Sequence, residues 1–264
     1  MRRVGGGRSS RTLLWVALHP LAAQFADVAG AYERGRPGYA PAVVGAIAAE
    51  LRIPSGAPVL DLAAGTGKLT RALLAFGLDV VAVEPLAPLR EVLASAVGSE
   101  RVRDGVAEAI PLPDAAVAAV TVADAFHWFD HTAALSDIRR VLRPGGGLAV
   151  LSTAPDWGEA PWADEVGSLI AGLRPDHPHF DGPPWQEAVR AAGGWTPLRE
   201  IRVTTPLPAA PDQLLDYLAS ISWVAALAED RRAEALAQVG DIIRASETPA
   251  VLPVNVAVGL TTLA

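Results

Sequence analysis

Two carboxylates set around a glycine turn carry the densest chemistry in this chain. Val59–Thr70 reads VLDLAAGTGKLT. It offers a short buried strand, a turn holding Gly65 and Gly67, and the start of a helix. The glycines let the backbone turn tightly and approach a ligand, and a helix start presents unpaired N–H groups to an acceptor. Asp61 sits at the end of the strand. Glu84, followed by Pro85, closes the next apolar run in VVAVEPL. A carboxylate at such a strand tip can accept both hydroxyls of a ribose.

Three cofactor classes use a turn of this kind. A phosphate-binding loop, G-x-x-x-x-G-K-[ST], fails at Leu62, where its first glycine belongs, and at Leu69, where a hydroxyl belongs. A dinucleotide fingerprint, G-x-G-x-x-G/A, meets Thr70 in place of the third small residue, although Glu84 stands near the usual ribose position. Asp61 would also repel a pyrophosphate while attracting an ammonium. S-adenosyl-L-methionine has no phosphate and carries an amino group, a carboxylate and a sulfonium, so it suits the turn better.

On these residues the chain resembles the class I S-adenosylmethionine-dependent methyltransferases, in their type 11 small-molecule branch. The family's D-x-G-x-G-x-G is here Asp61-Leu62-Ala63-Ala64-Gly65-Thr66-Gly67. Ala63 replaces the first glycine, so its backbone must still reach a permissive angle. The resemblance implies that Asp61 and the backbone of Ala63, Gly65 and Gly67 hold the methionine end of the cofactor, and that Glu84 with Pro85 holds the ribose. RDGVAEAIPLPD (Arg103–Asp114) matches the adenine segment. The family often has Asp where Val106 stands, which leaves Ala107 and Glu108 to make the adenine contacts. LRPGGGLAVL (Leu142–Leu151) matches a structural turn into a strand. The resemblance spans residues 25–154 closely and the remainder loosely.

Two more segments bear on the site. Tyr32, Arg36, Pro37 and Tyr39 are similar to the Y-x-x-x-R-P-x-Y signature of one type 11 subgroup. Arg36 can fork onto a carboxylate, and the tyrosine rings can face a sulfonium; a packed helix with an ordinary salt bridge is the competing reading. Ala123–Asp130, ADAFHWFD, follows a strand, and ligands of doubly wound sheets sit beyond the carboxyl ends of strands. Ala123 and Asp124 are therefore placed at the chamber, Asp124 standing where the subgroup often has Gln. His127 is the general-base candidate among five histidines, against a structural histidine beside Trp128. His177 and His179 lie in a Pro-rich loop without a third ligand, so no metal is expected.

These residues need a scaffold, and the periodicity supplies one. Val59–Leu62, Val80–Val83, Val102, Val117–Ala123 and Leu148–Leu151 read as strands. Leu69–Phe76, Leu86–Val97 and Thr132–Leu142 read as helices between them, stopped by Gly77, Gly98 and the Pro144 glycine run. Beyond residue 155 lie five of the seven tryptophans, strands at Leu198–Thr205 and Leu252–Thr262, and helices near Pro211–Ala219 and Glu229–Ala245. The expected fold is α/β: a Rossmann-like, doubly wound, seven-stranded sheet, mostly parallel with the last strand antiparallel, helices on both faces and an N-terminal helical cap. The expected organisation is a flexible leader over 1–22, a cofactor-binding core over 23–154, and a sheet-completing, pocket-lining region of the same domain over 155–264.

Composition narrows the function. The chain has 264 residues, no cysteine and a net charge of −7. The missing cysteines exclude thiol catalysis, Cys-ligated metal and disulfide scaffolds. The acidic balance argues against nucleic acid, which needs a basic face. No apolar run reaches the roughly 18 residues of a membrane span. Arg2, Arg3, Arg8 and Arg11 precede the apolar Leu13–Leu18, but His19 and Pro20 interrupt what would be a signal peptide. The expectation is a cytoplasmic enzyme, a monomer or homodimer, moving a methyl group from S-adenosylmethionine to a small-molecule acceptor by in-line displacement. A nicotinamide-dependent dehydrogenase and a non-catalytic methyltransferase-like domain are the alternatives.

Overall fold

The computed structural model describes residues 18–208, 210–246 and 251–264; most of the expected leader, residues 1–17, lies outside them. Seven strands form one sheet: β1 (Pro58–Leu62), β2 (Asp79–Val83), β3 (Val102–Arg103), β4 (Val117–Ala123), β5 (Leu142–Pro155), β6 (Arg199–Pro208) and β7 (Val251–Thr262), in the order β3-β2-β1-β4-β5-β7-β6. The strands from β3 across to β5 pair in parallel, and β7 alone runs against its two neighbours. Strand β1 lies inside the sheet between β2 and β4 and is buried from Val59 to Leu62. That near-continuous burial is what a parallel strand covered on both faces requires.

The two-residue alternation of strands divides the core between the sheet faces. Val59, Val80 and Ala119 pack on one face against helices α3 (Pro41–Glu50) and α4 (Lys68–Ala75), which follow the short α1 (Pro20–Ala23) and α2 (Ala29–Gly35). Leu60, Leu62, Val120 and Val122 pack on the other face, against α6 (His131–Val141), which follows α5 (Ala87–Val97). A third cluster builds a separate layer from α7 (Pro161–Gly172), α10 (Pro211–Ala219) and α12 (Glu229–Ala245), closed on the ends of β6 and β7 through Leu207, Leu252 and Val254. Between these lie α8 (Pro178–Asp181), α9 (Trp185–Ala192) and α11 (Ser222–Ala225).

The predicted fold class is the observed one. The largest local difference is at the glycine run. The expected stop after residue 142 is in fact the start of β5: Leu142 pairs with Val117, the register slips, and Gly147 resumes opposite Ala119. Gly145 holds φ 72° within that irregularity, so the run makes a bulged strand and not a loop. Pro20–Ala23 forms a helical turn where the leader was expected to end.

Candidate active site

The order of the sheet changes direction between β1 and β4, and a cavity of about 410 Å³ opens beyond the carboxyl ends of β1, β2, β4 and β5. That crevice is the usual ligand position in a doubly wound sheet, and the volume falls in the roughly 300–1,000 Å³ range of small-molecule sites. Of the residues singled out by sequence, Tyr32, Arg36, Ala63, Gly65, Glu84, Pro85, Ala107, Glu108, Ala123, Asp124 and His127 all line it. Asp61 and Gly67 do not stand in its wall.

Glu84 follows β2 directly and is 3% exposed. Its Oε2 accepts the Gly65 N–H at 2.8 Å and its Oε1 accepts the Leu86 N–H at 2.9 Å. Each oxygen keeps acceptor capacity. Burial pushes the carboxyl up to about 7 in spite of these bonds and the nearby Arg90. Asp61 lies beneath the turn at 1% exposure. It accepts the Thr70 hydroxyl at 2.6 Å and the Thr121 hydroxyl at 3.3 Å, and burial raises it to about 6. Its side chain thus ties α4 and β4 to β1 under the loop.

The turn itself uses left-handed backbone at three residues: Ala63 (φ 56°), Gly65 (φ 59°) and Gly67 (φ 86°). Ala63 therefore adopts the angle that the missing glycine would have taken. At Gly67 the left-handed angle itself favours glycine, and a Cβ there would also lie 2.5 Å from a Leu93 methyl. The Tyr32 ring covers Gly65 from the cavity side, with its nearest atoms 3.9 Å from where a Cβ would stand. Burial raises the Tyr32 phenol to about 12, so it stays a neutral donor.

Arg36 follows α2. Its Nε donates to the Ser220 hydroxyl at 2.9 Å, and its guanidinium lies 4.6 Å from the Tyr217 ring centre and 5.4 Å from that of Tyr32. Among the described residues it forms no ion pair, so the salt-bridge reading does not hold. A second nitrogen donates to the Ser220 carbonyl at 3.4 Å, and the side chain lines the cavity. Asp124 is instead committed. It accepts the Thr153 N–H at 2.7 Å and the Thr153 hydroxyl at 2.5 Å, with Tyr39 at 3.4 Å. Its φ of 52° is one that Asp tolerates. Glu108 accepts the Asp130 N–H at 2.9 Å and so pins the loop that leads into α6.

His127 stands in a tight turn, Phe126–Trp128, with its ring centre 4.4 Å from Trp128, 4.9 Å from His179 and 5.5 Å from His177. Burial, then the neighbouring histidines, lowers it to about 3. His177 is likewise lowered to about 4 by burial and contacts Ser222 through Nε2 at 3.0 Å. The far wall comes from the region beyond residue 155 that was expected to line a pocket: Trp157 and Trp223 stand in it, joined by Ile170, Arg174 and Tyr217, which the sequence reading did not single out. The signal for them was the density of tryptophan beyond residue 155.

The donor set fits S-adenosylmethionine. A buried carboxylate with spare acceptor capacity on both oxygens suits a ribose diol, and an unpaired guanidinium suits the methionine carboxylate. Comparison with known proteins agrees. Residues 60–150 match the methyltransferase domain family Methyltransf_11. An uncharacterized methyltransferase of Mycobacterium tuberculosis is 39% identical over 200 residues, 75% of this chain and 76% of its own length. An uncharacterized methyltransferase-like protein of Schizosaccharomyces pombe is 31% identical over 219 residues, 83% of this chain and 84% of its own. Among solved structures, a chain from Anaeromyxobacter dehalogenans described as a type II methyltransferase superposes with a TM-score of 0.59 at 26% identity, covering 86% of this chain and 97% of its own. The chain belongs to the class I S-adenosylmethionine-dependent methyltransferases. That assignment sets aside the dehydrogenase alternative.

Proposed function

We propose that the protein methylates a small organic acceptor seated in the same cavity as S-adenosylmethionine. The observation that carries this reading is the lining of one cavity. Arg36, Ala63, Gly65, Glu84 and Ala107 furnish a cofactor end, while Trp128, Trp157, Ile170 and Trp223 furnish an apolar end. The volume suits a small molecule, and a polymer would need an open groove. S-adenosylmethionine supplies an electrophilic methyl group when bound. The residues do the rest by holding and drying. Glu84 takes the ribose hydroxyls, Arg36 the amino-acid carboxylate, and Ala107 with Glu108 the adenine edge. Because charge disperses as the methyl moves, alignment and exclusion of water can supply most of the acceleration.

His127 enters only for an acceptor that has a proton to lose. Its burial keeps it neutral at physiological pH, which makes it a weak base. A hydroxyl becomes strongly acidic as its oxygen gains a third bond, so a weak base suffices. An acceptor oxygen already ionised needs none.

Calorimetry with S-adenosylhomocysteine tests the cofactor half: wild type binds, and Glu84→Ala loses about tenfold or more in affinity, the loss of a charge-assisted pair of hydrogen bonds. Absence of binding by the wild type overturns the reading. For the acceptor half, incubation with labelled cofactor and a metabolite extract should label a small molecule; label appearing only in protein or nucleic acid would defeat it. His127→Ala should cost about 10²-fold in rate on a hydroxyl acceptor. An unchanged rate on that acceptor removes His127 from the reaction.

A further inference from the structure

Beyond Ala154, the chain lines the cavity with one side chain of permanent charge, Arg174, just past the C-terminus of α7. Its guanidinium lies 4.0 Å from the centre of the Phe180 ring. Among the described residues it has no ion pair and no side-chain hydrogen bond. Carboxylates are close in sequence, yet neither pairs with it among the described residues: Asp181 accepts the His177 N–H at 2.7 Å, and Asp176 forms no ion pair. Stacking on a ring holds the guanidinium plane and leaves its N–H edge free for an oxyanion. Phe180 is 50% exposed and also lines the cavity, so this edge stands near the mouth. Inward of it lie Trp223, 5.8 Å from Phe180 between ring centres, and Trp128.

We infer that Arg174 selects the methyl acceptor: the acceptor is an organic anion, with a carboxylate or phosphate held by Arg174 near the mouth and an apolar body reaching inward between Trp223 and Trp128. This rests on the methyltransferase reading above and adds the substrate's charge and its polarity along the cavity. Two histidines of this wall, His127 and His177, do not compete for the anion. His127 and His177 carry no charge at neutral pH, so they form a polar but uncharged wall. A cationic acceptor would meet a like charge at the mouth and is disfavoured.

The test uses full-length protein saturated with S-adenosylhomocysteine and a set of probes: benzoate, 3-phenylpropionate, hexanoate, phenyl phosphate, 3-phenylpropionamide and 2-phenylethylamine. Calorimetry should show at least one acid binding about tenfold or more tighter than the amide and the amine, the range of a charge-assisted hydrogen bond. Arg174→Ala should erase that preference and leave affinity for S-adenosylhomocysteine unchanged; Arg174→Lys, which keeps the charge but not the fork, should retain part of it. Whether the carboxylates or phenyl phosphate bind best tells which oxyanion is preferred. Equal binding of acid and amide, an acid preference that survives in Arg174→Ala, or no binding by any of the four acids overturns the inference. Failure of S-adenosylhomocysteine itself to bind would instead overturn the methyltransferase reading on which it stands.

Discussion

Ala63 holds a left-handed backbone angle at the point where the turn leaves β1. For a residue with a Cβ this costs about 1–2 kcal/mol. Ala63→Gly should therefore stabilise the protein by about 0.5–1 kcal/mol after the entropy of the unfolded glycine is counted, a gain that denaturant titration can resolve; a loss would mean the Ala63 methyl makes packing that matters. Glu84 gives a second test. Its carboxyl is raised to about 7, above its ordinary value, and only the ionised form can accept from both hydroxyls of a ribose diol at once. Affinity for S-adenosylhomocysteine should rise as pH climbs through about 7 and level off above it, while Glu84→Gln should bind weakly with no such rise. The sign for stability is opposite: without cofactor, Glu84 and Asp61 favour the folded state at low pH and lose that contribution as pH passes about 6 to 7. At this scale the sequence showed which groups mattered better than where they point. Glu84, Gly65 and Arg36 reach the cavity. Asp61 does not, because strand alternation turns its side chain under α4, toward Thr70, and not toward the ligand space.

Among the elements, the cap decides how the cofactor end is closed. Helix α2 lies so close to α10 that a Cβ on Gly35 would fall 2.1 Å from the Tyr217 nitrogen. Arg34 pairs with Asp216 at 2.7 Å and Arg36 bonds to Ser220, both reaching the same end of α10. Gly35→Ala normally strengthens a helix by up to about 1 kcal/mol; here overpacking of about 1–3 kcal/mol wins. The variant should melt earlier and bind S-adenosylhomocysteine more weakly, since Arg36 shifts with the helix. A higher melting temperature would show that α2 is free of α10. The alternating strands and helices of the core were legible because each carries its own period. Helices α3, α7 and α9 were not read: PAVVGAIAAE in α3 is apolar nearly all round and shows no face, and tryptophan and proline obscured the pattern in α7 and α9. A usable signal was present: Pro20, Pro41, Pro161, Pro178 and Pro211 each stand in the first turn of a helix, where a missing N–H costs nothing.

The cavity takes its walls from three separated stretches of the chain: the cap at 18–36, the strand ends of the core, and the segment from 153 to 223. A ligand bound there bridges all three, so it stabilises the whole molecule through its preference for the folded state. At one hundred times its dissociation constant, S-adenosylhomocysteine should add about 2.7 kcal/mol, or roughly 5–10 °C in melting temperature for a chain of this size. A thermal scan with and without it reads this directly; no shift at saturation would place the ligand elsewhere or nowhere. This assembly is the part least visible in the sequence, because no local pattern says that residues near 174 and near 36 will face one space.

The cap is held down by one more contact. Lys68, the only lysine in the chain, opens α4 and reaches across to α2, where its ammonium donates to the Glu33 carbonyl. Glu33 also accepts from Arg71 at 2.9 Å. Apart from the α-amino group, the protein therefore offers an acylating reagent a single amine, and that amine is half-buried against the cap, with a proton affinity lowered by its partial burial. Its labelling rate is a built-in clock for cap opening. A single mass shift on one peptide, followed over time with and without cofactor, would give the opening frequency without introducing any probe.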